Sequence, residues 1–176
     1  MPIYSTIVLC YIILLAIEIR IAKEKYAMKL SVALYEPDIA GNTGAILRLA
    51  ACFNLVVHVI EPTGFDISDK SLRRAGMDYI NLVELHRHLD WQTFYSYSQN
   101  LQSRLILFTT KASQSYYDFT YKNNDILLFG RESAGVPQCI YSEVHERLTI
   151  PIQKHTRSLN LAISVAMAVS VAKYPH

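Results

Sequence analysis

The stretch from Ile150 to Ala172, IPIQKHTRSLNLAISVAMAVSVA, constrains the fold more than any other part of the chain. A loop carrying Lys154, His155, Thr156, Arg157 and Ser158 runs, with no glycine or proline between, into about fifteen residues that bear no charge. The pattern predicts a helix over 158–173, joined directly to a binding loop. A helix that is apolar on every face must be covered from more than one side, and a chain of 176 residues has little interior to hide it in. Ala162, Ala166 and Ser170 fall at i, i+4 and i+8, a stripe of small residues that lets another backbone approach closely. The stripe reads as a subunit contact; the alternative is a helix sunk in the centre of one monomer.

Residues 1–27 differ from the rest. Ile3 to Ile17 is an uncharged, mostly apolar run, and Glu18, Arg20, Lys23, Glu24 and Lys25 follow it. The run is shorter than the roughly twenty residues a spanning helix needs, and no basic residue precedes it as in a signal peptide. Three readings remain: a marginal membrane anchor, an extra helix on the domain, or an upstream start with Met28 as the true initiator. The last is preferred, because a clear strand signal begins directly after Met28. No stable membrane association is expected.

Residues 28–176 read as a single domain. Short apolar runs at 30–34, 55–60, 105–109, 126–129 and 148–152 suit buried strands. Helical patterns at 43–53, 68–75, 90–100 and 158–173 lie between or after them. Strands alternating with helices imply an α/β fold, a mostly parallel sheet covered by helices on both faces. With 51% hydrophobic residues such a chain has a substantial core. Cys10, Cys52 and Cys139 are far apart and form neither a disulfide framework nor a zinc motif, so a reducing cytoplasm is the expected location.

In parallel sheets ligands bind beyond the carboxyl ends of the strands. Three loops there carry chemistry. The first, Glu36 to Gly44, leads into a helix bearing Arg48; Asn42 or Thr43 can cap that helix, and its free amides can hold an anion. The second is Phe129-Gly130-Arg131-Glu132-Ser133-Ala134-Gly135, where two glycines permit close backbone approach around Glu132. The third runs from Gln153 to Asn160, where Ser158 and Asn160 can bind a ligand or cap the last helix. GxGxxG and GxxxxGK[ST] are both missing from the sequence, which argues against a dehydrogenase and a phosphate-loop NTPase.

Taken in this order, the three loops resemble the SpoU branch of the SPOUT superfamily of RNA methyltransferases, over essentially all of 28–176. Leu34-Tyr35-Glu36-Pro37, and the segment from Pro62 through Lys70, Arg73, Arg74 and Gly76 to Tyr79, are similar to TrmL-type enzymes, which methylate the ribose 2′-hydroxyl of the tRNA wobble nucleotide. The resemblance implies a C-terminal trefoil knot, a homodimer, and S-adenosylmethionine bound by Phe108, Gly130, Ile150 and Ser158. It also implies active-site roles for Asn42, Arg48, Glu132 and Asn160. Such enzymes carry a tyrosine well along the last helix, where this chain has Ser170, with Tyr174 one turn later.

The implied reaction moves a methyl group from a sulfonium to a ribose oxygen of wobble cytidine or modified uridine. The leaving group departs neutral, so no metal is expected. The protein must align the reacting atoms and help remove the hydroxyl proton. Guanidinium groups stay protonated, so Arg48 suits stabilising negative charge on the oxygen, or clamping a phosphate, better than acting as a base.

The formal net charge is only +2, so contact with a tRNA anticodon stem-loop must come from local patches. Three are visible: Lys70, Arg73 and Arg74; His86, Arg87 and His88; Lys154, His155 and Arg157. Two alternatives stand beside the wobble methyltransferase: a ribosomal RNA 2′-O-methyltransferase, and a catalytically silent RNA-binding homologue.

Overall fold

The structure, a computed structural model, describes residues 28–66 and 82–174. Residues 1–27, the helix expected at 68–75, and Lys70, Arg73, Arg74 and Tyr79 lie outside the described residues. The described elements are strands β1 (Leu30–Tyr35), β2 (Val56–Ile60), β3 (Glu84–His88), β4 (Leu105–Phe108), β5 (Gln114–Ser115), β6 (Asp125–Phe129) and β7 (Glu146–Thr149), and helices α1 (Ala40–Phe53), α2 (Trp91–Asn100), α3 (Gln138–Glu143) and α4 (Leu161–Lys173), with a short 3-10 turn at Tyr116–Asp118.

The strands form one sheet in the order β3-β2-β1-β6-β4-β7-β5, and every pairing is parallel. Central strands β1, β4 and β6 read as continuous apolar runs because both of their faces are covered. On one face Val32, Leu34, Leu127 and Phe129 pack with Ile46 and Leu47 of α1 and Val165 and Val169 of α4. On the other, Ala33, Leu107 and Leu128 pack with Phe94 of α2 and Ile140 of α3. The fold is therefore the α/β class expected, with helices on both sides.

Edges of the elements differ from the expectation in ways the chemistry explains. β7 covers 146–149 rather than 148–152; Pro151, which lacks an N–H, lies in the loop that follows. Strand β3, Glu-Leu-His-Arg-His, has no apolar run to announce it in the sequence, because it is the edge strand of the sheet and mostly polar. Helix α1 begins at Ala40, three residues earlier than expected, with Ile39 as an extended N-cap that makes no side-chain capping bond. Neither Asn42 nor Thr43 caps it. Thr43 faces inward on the fourth helical residue, its buried Oγ1 lacking a partner among the described residues.

Polar groups inside the sheet are paired. Arg104 at the start of β4 grips buried Asp125 with Nε and Nη2 at 2.8 and 2.7 Å, and Lys122 N donates to the same carboxylate at 2.7 Å. This pair ties β4 to β6 at the end opposite the functional loops. Among the described residues no helix is long and apolar enough to cross a membrane. The apolar run Ile3 to Ile17 is outside them.

Candidate functional site

The strand order decides where the site forms. β1, β6, β4 and β7 are neighbours, so the loops that leave their carboxyl ends, separated by up to more than a hundred residues in sequence, meet at one edge of the sheet. They enclose a cleft of about 540 Å³ whose lining includes Phe108, Gly130, Ile150 and Ser158, and also Asn42, Glu132 and Asn160. All four residues expected to hold the cofactor and three of the four expected in the active site are thus brought together. Arg48 is not on the cleft wall; it lies exposed on α1.

A chain of hydrogen bonds fixes the polar side of the cleft. Glu132 accepts from Asp38 N at 2.8 Å and from Asn42 Nδ2 at 2.9 Å. A carboxylate with those donors can only accept, which forces the Asn42 amide to turn its NH2 toward Glu132 and its oxygen away. Asn42 Oδ1 then accepts from Asn160 Nδ2 at 2.9 Å. Asn160 in turn presents its Oδ1 to Ala162 N at 2.9 Å and Ile163 N at 3.3 Å, capping α4. Each amide keeps one N–H outside these bonds. The last helix is therefore capped by Asn160, one of the two residues expected to do so, and that cap orients the site.

The loop after β6 is folded tightly under this chain. Arg131 and Gly135 exchange backbone bonds at 3.0 and 2.9 Å, and Gly135 has φ +69°, a region that favours glycine. A Cβ on Gly130 would lie 2.4 Å from the Gly135 carbonyl carbon, so only glycine fits there. Arg131 reaches across to the loop after β1, bonding Glu36 at 3.0 Å and Asp38 at 2.9 Å. Ser133 N and Oγ donate to Asp38 Oδ2 at 3.0 and 2.6 Å. The Ser133 hydroxyl first, and then the Ser133 amide and Arg131, hold the Asp38 carboxyl below the usual carboxylate range. Asp38 and Arg131 were in the loops singled out in the sequence but had no role assigned there.

The cleft walls are mixed in character. Leu107, Phe108, Val136, Tyr141, Ile150 and Ile152 give an apolar slot, and Thr109, Lys111, Ser158 and Ser164 a polar rim. Lys111, exposed three residues beyond the end of β4, is a cation not singled out from the sequence; its place in a loop that follows a buried strand was the available signal. Lys154 and Arg157 are exposed on the loop between β7 and α4, outside the cleft lining.

The cluster His86, Arg87 and His88 does not form a free basic patch. His88 is buried and shares a hydrogen bond of 3.0 Å with buried His58. His86 stacks on His58 at 5.3 Å and bonds Glu84, and Arg87 pairs with Glu61 at 2.6 Å. Parallel register places His58 directly beside His86, which turns two of the expected RNA contacts into packing. Among the described residues no group of three or more His, Cys, Asp or Glu is placed to hold a metal ion.

Comparison with known proteins converges on this architecture. The model of the SpoU rRNA Methylase family matches residues 29–170. A tRNA (cytidine(34)-2′-O)-methyltransferase of Beijerinckia indica subsp. indica is 48% identical over 140 residues, spanning 80% of this chain and 88% of that protein. The protein of the same name from Escherichia coli strain K12 is 39% identical over 142 residues, spanning 80% and 89%. Among solved structures, one described as "Structural insights into the 2-OH methylation of C/U34 on tRNA" has a TM-score of 0.78 at 35% identity and covers 82% of this chain and 94% of its own. An AdoMet-bound rRNA methyltransferase from Sinorhizobium meliloti has a TM-score of 0.76 at 25% identity, covering 83% of this chain and 56% of its own. With the family model matching most of its length and the three loops in the expected order around one cleft, the chain belongs to the SpoU methylase family.

Proposed function

We propose that this protein is an S-adenosylmethionine-dependent tRNA methyltransferase acting on the ribose 2′-hydroxyl of the wobble nucleotide. The observation that carries the reading is the Glu132–Asn42–Asn160 chain on the wall of a cleft that also gathers Phe108, Gly130, Ile150 and Ser158. The names of the relatives at 48% and 39% identity support the substrate.

The cleft suits the methyl donor. A volume of about 540 Å³ lies in the range of small-molecule sites, the apolar slot matches an adenine, and the hydroxyls and backbone groups around Gly130 and Ser158 match a ribose and an amino-acid tail. When bound, S-adenosylmethionine supplies an activated methyl group on a positively charged sulfur. The protein supplies alignment. Asn42 and Asn160, locked by Glu132 and the α4 N-terminus, offer one N–H each to orient the ribose. Arg48, outside the cleft lining on α1, clamps a phosphate of the incoming strand or stabilises charge on the oxygen.

Residues 28–176 make up the methyltransferase domain, with the family's trefoil knot in its C-terminal part. The RNA surface combines Lys154 and Arg157 with Arg73 and Arg74, and takes the anticodon stem-loop. The protein works as a homodimer in the cytoplasm. One face of α4 (Leu161, Val165, Ala168, Val169, Ala172) is buried in the core, while Ile163 is 53% exposed and, within the small-residue stripe, Ala162 and Ala166 are half-buried and Ser170 is exposed. That half-covered helix supports a partner subunit.

Transfer of labelled methyl from S-adenosylmethionine to tRNA lacking the modification tests the reading. Arg48→Ala is expected to reduce turnover about a hundredfold or more while the donor still binds. Normal turnover of the variant would remove Arg48 from the mechanism, and no transfer by the wild type, with tRNA still bound, would favour an RNA-binding role.

A further inference from the structure

Resting on the methyltransferase reading, we propose that Asp38 is a positioning residue for the reaction, holding Glu132 in place and through it the Asn42 amide that faces the cleft. Asp38 takes hold of Glu132 from three directions. Its carboxylate accepts from Arg131 Nε and Nη2 at 3.2 and 2.9 Å, and from Ser133 N and Oγ at 3.0 and 2.6 Å. These are the residues on either side of Glu132. Its own backbone N–H then donates to Glu132 Oε2 at 2.8 Å. With main chain and one oxygen fixed, the remaining Oε1 has one place to point, Asn42 Nδ2 at 2.9 Å.

Asp38 is itself anchored from behind. Gly64 N donates to Pro37 O at 2.9 Å, and a Cβ on Gly64 would lie 2.8 Å from the Asp38 carbonyl oxygen, so the two backbones are in close contact. The loop after β1 is therefore held between the Gly64 turn and the loop after β6. Asp38 is the point where that restraint is passed to Glu132. Its side chain is 20% exposed and does not line the cleft, which separates it from residues that touch substrate. Charge-assisted bonds of this kind are directional and strong, and a small error in the orientation of an aligning amide costs turnover far more than binding.

The test uses the full chain and four variants, Asp38→Asn, Glu132→Gln, the double variant and Ser133→Ala. Rates of methyl transfer to tRNA are measured together with the side-chain amide signal of Asn42 in ¹⁵N-asparagine-labelled protein, assigned through Asn42→Ser. Asp38→Asn is expected to lower kcat about tenfold or more, with KM for tRNA and donor within about threefold, and to shift the Asn42 amide signal. The double variant is expected to be no slower than Glu132→Gln, as for two residues acting through one contact. Ser133→Ala, which removes one of the four donors, is expected to give the same pattern in smaller measure and serves if Asp38→Asn does not fold. An unchanged kcat and amide signal in Asp38→Asn, or losses that multiply in the double variant, would overturn the proposal. If the wild type failed to methylate tRNA the function would be wrong, and the Asn42 signal alone would then decide: shifted in Asp38→Asn, it upholds the link from Asp38 to Asn42, and unshifted it refutes it.

Discussion

Glu132 has both carboxylate oxygens committed, one to Asp38 N and one to Asn42, so its charge serves geometry before chemistry. The histidines at the other end of the sheet show the same economy. Burial first, and then the neighbouring His88 and His86, lower His58 to about 3 from 6.5, and burial likewise lowers His88. The folded protein keeps His58 neutral, while the unfolded chain protonates it near its ordinary value. Between those two pH values the unfolded state binds the extra proton, so stability falls as pH drops below about 6.5, by up to about 1.4 kcal/mol per pH unit from this group. Denaturant titrations at pH 7 and pH 5 are expected to show the loss, and His58→Leu to reduce it. A pH-independent midpoint between those values would contradict the buried neutral histidine.

At the scale of elements, α4 couples fold and site through a single residue. Asn160 caps the helix with its oxygen and orients Asn42 with its nitrogen. Asn160→Ala loses both and is expected to cost about 1 kcal/mol of stability together with turnover. Asn160→Asp keeps the cap, adds favourable charge at the helix N-terminus, and loses the donor to Asn42. Stability near that of the wild type with turnover well below it, measured by thermal melts and methyl transfer, would separate the two roles; equal loss in both variants of stability and activity would merge them. The sequence revealed much at this scale and missed the rest for physical reasons. β1, β4 and β6 were legible because strands buried on both faces must be continuously apolar, and the three functional loops were legible in their order. β3 was hidden because its histidines pack inward instead of facing solvent. The Asp38–Arg131 contact joins residues 93 apart in the chain, and no local periodicity encodes a contact between two loops.

For the whole molecule, the sheet order brings four post-strand loops to one edge and leaves α4 half covered, so the proposed reaction would use the N-terminal end of that helix and the proposed subunit contact its exposed face. Ile163 is expected at the subunit contact. Ile163→Glu is expected to convert a dimer to a monomer in light scattering at micromolar protein, with the far-UV spectrum unchanged; a wild-type monomer, or a variant that stays dimeric, would move the contact elsewhere. In a chain of net charge +2 the proposed RNA contacts depend on local basic side chains such as Lys154 and Arg157, so binding is expected to fall steeply with salt. The proposed reaction turns on one oxygen atom, the 2′-hydroxyl of the wobble nucleotide. The most direct measurement is methyl transfer to two anticodon stem-loops that differ only in a 2′-deoxy substitution at the wobble nucleotide. Transfer to the all-ribose stem-loop and none to the deoxy one is expected; equal transfer to both would place the methyl group elsewhere and contradict 2′-O-methylation of the wobble ribose.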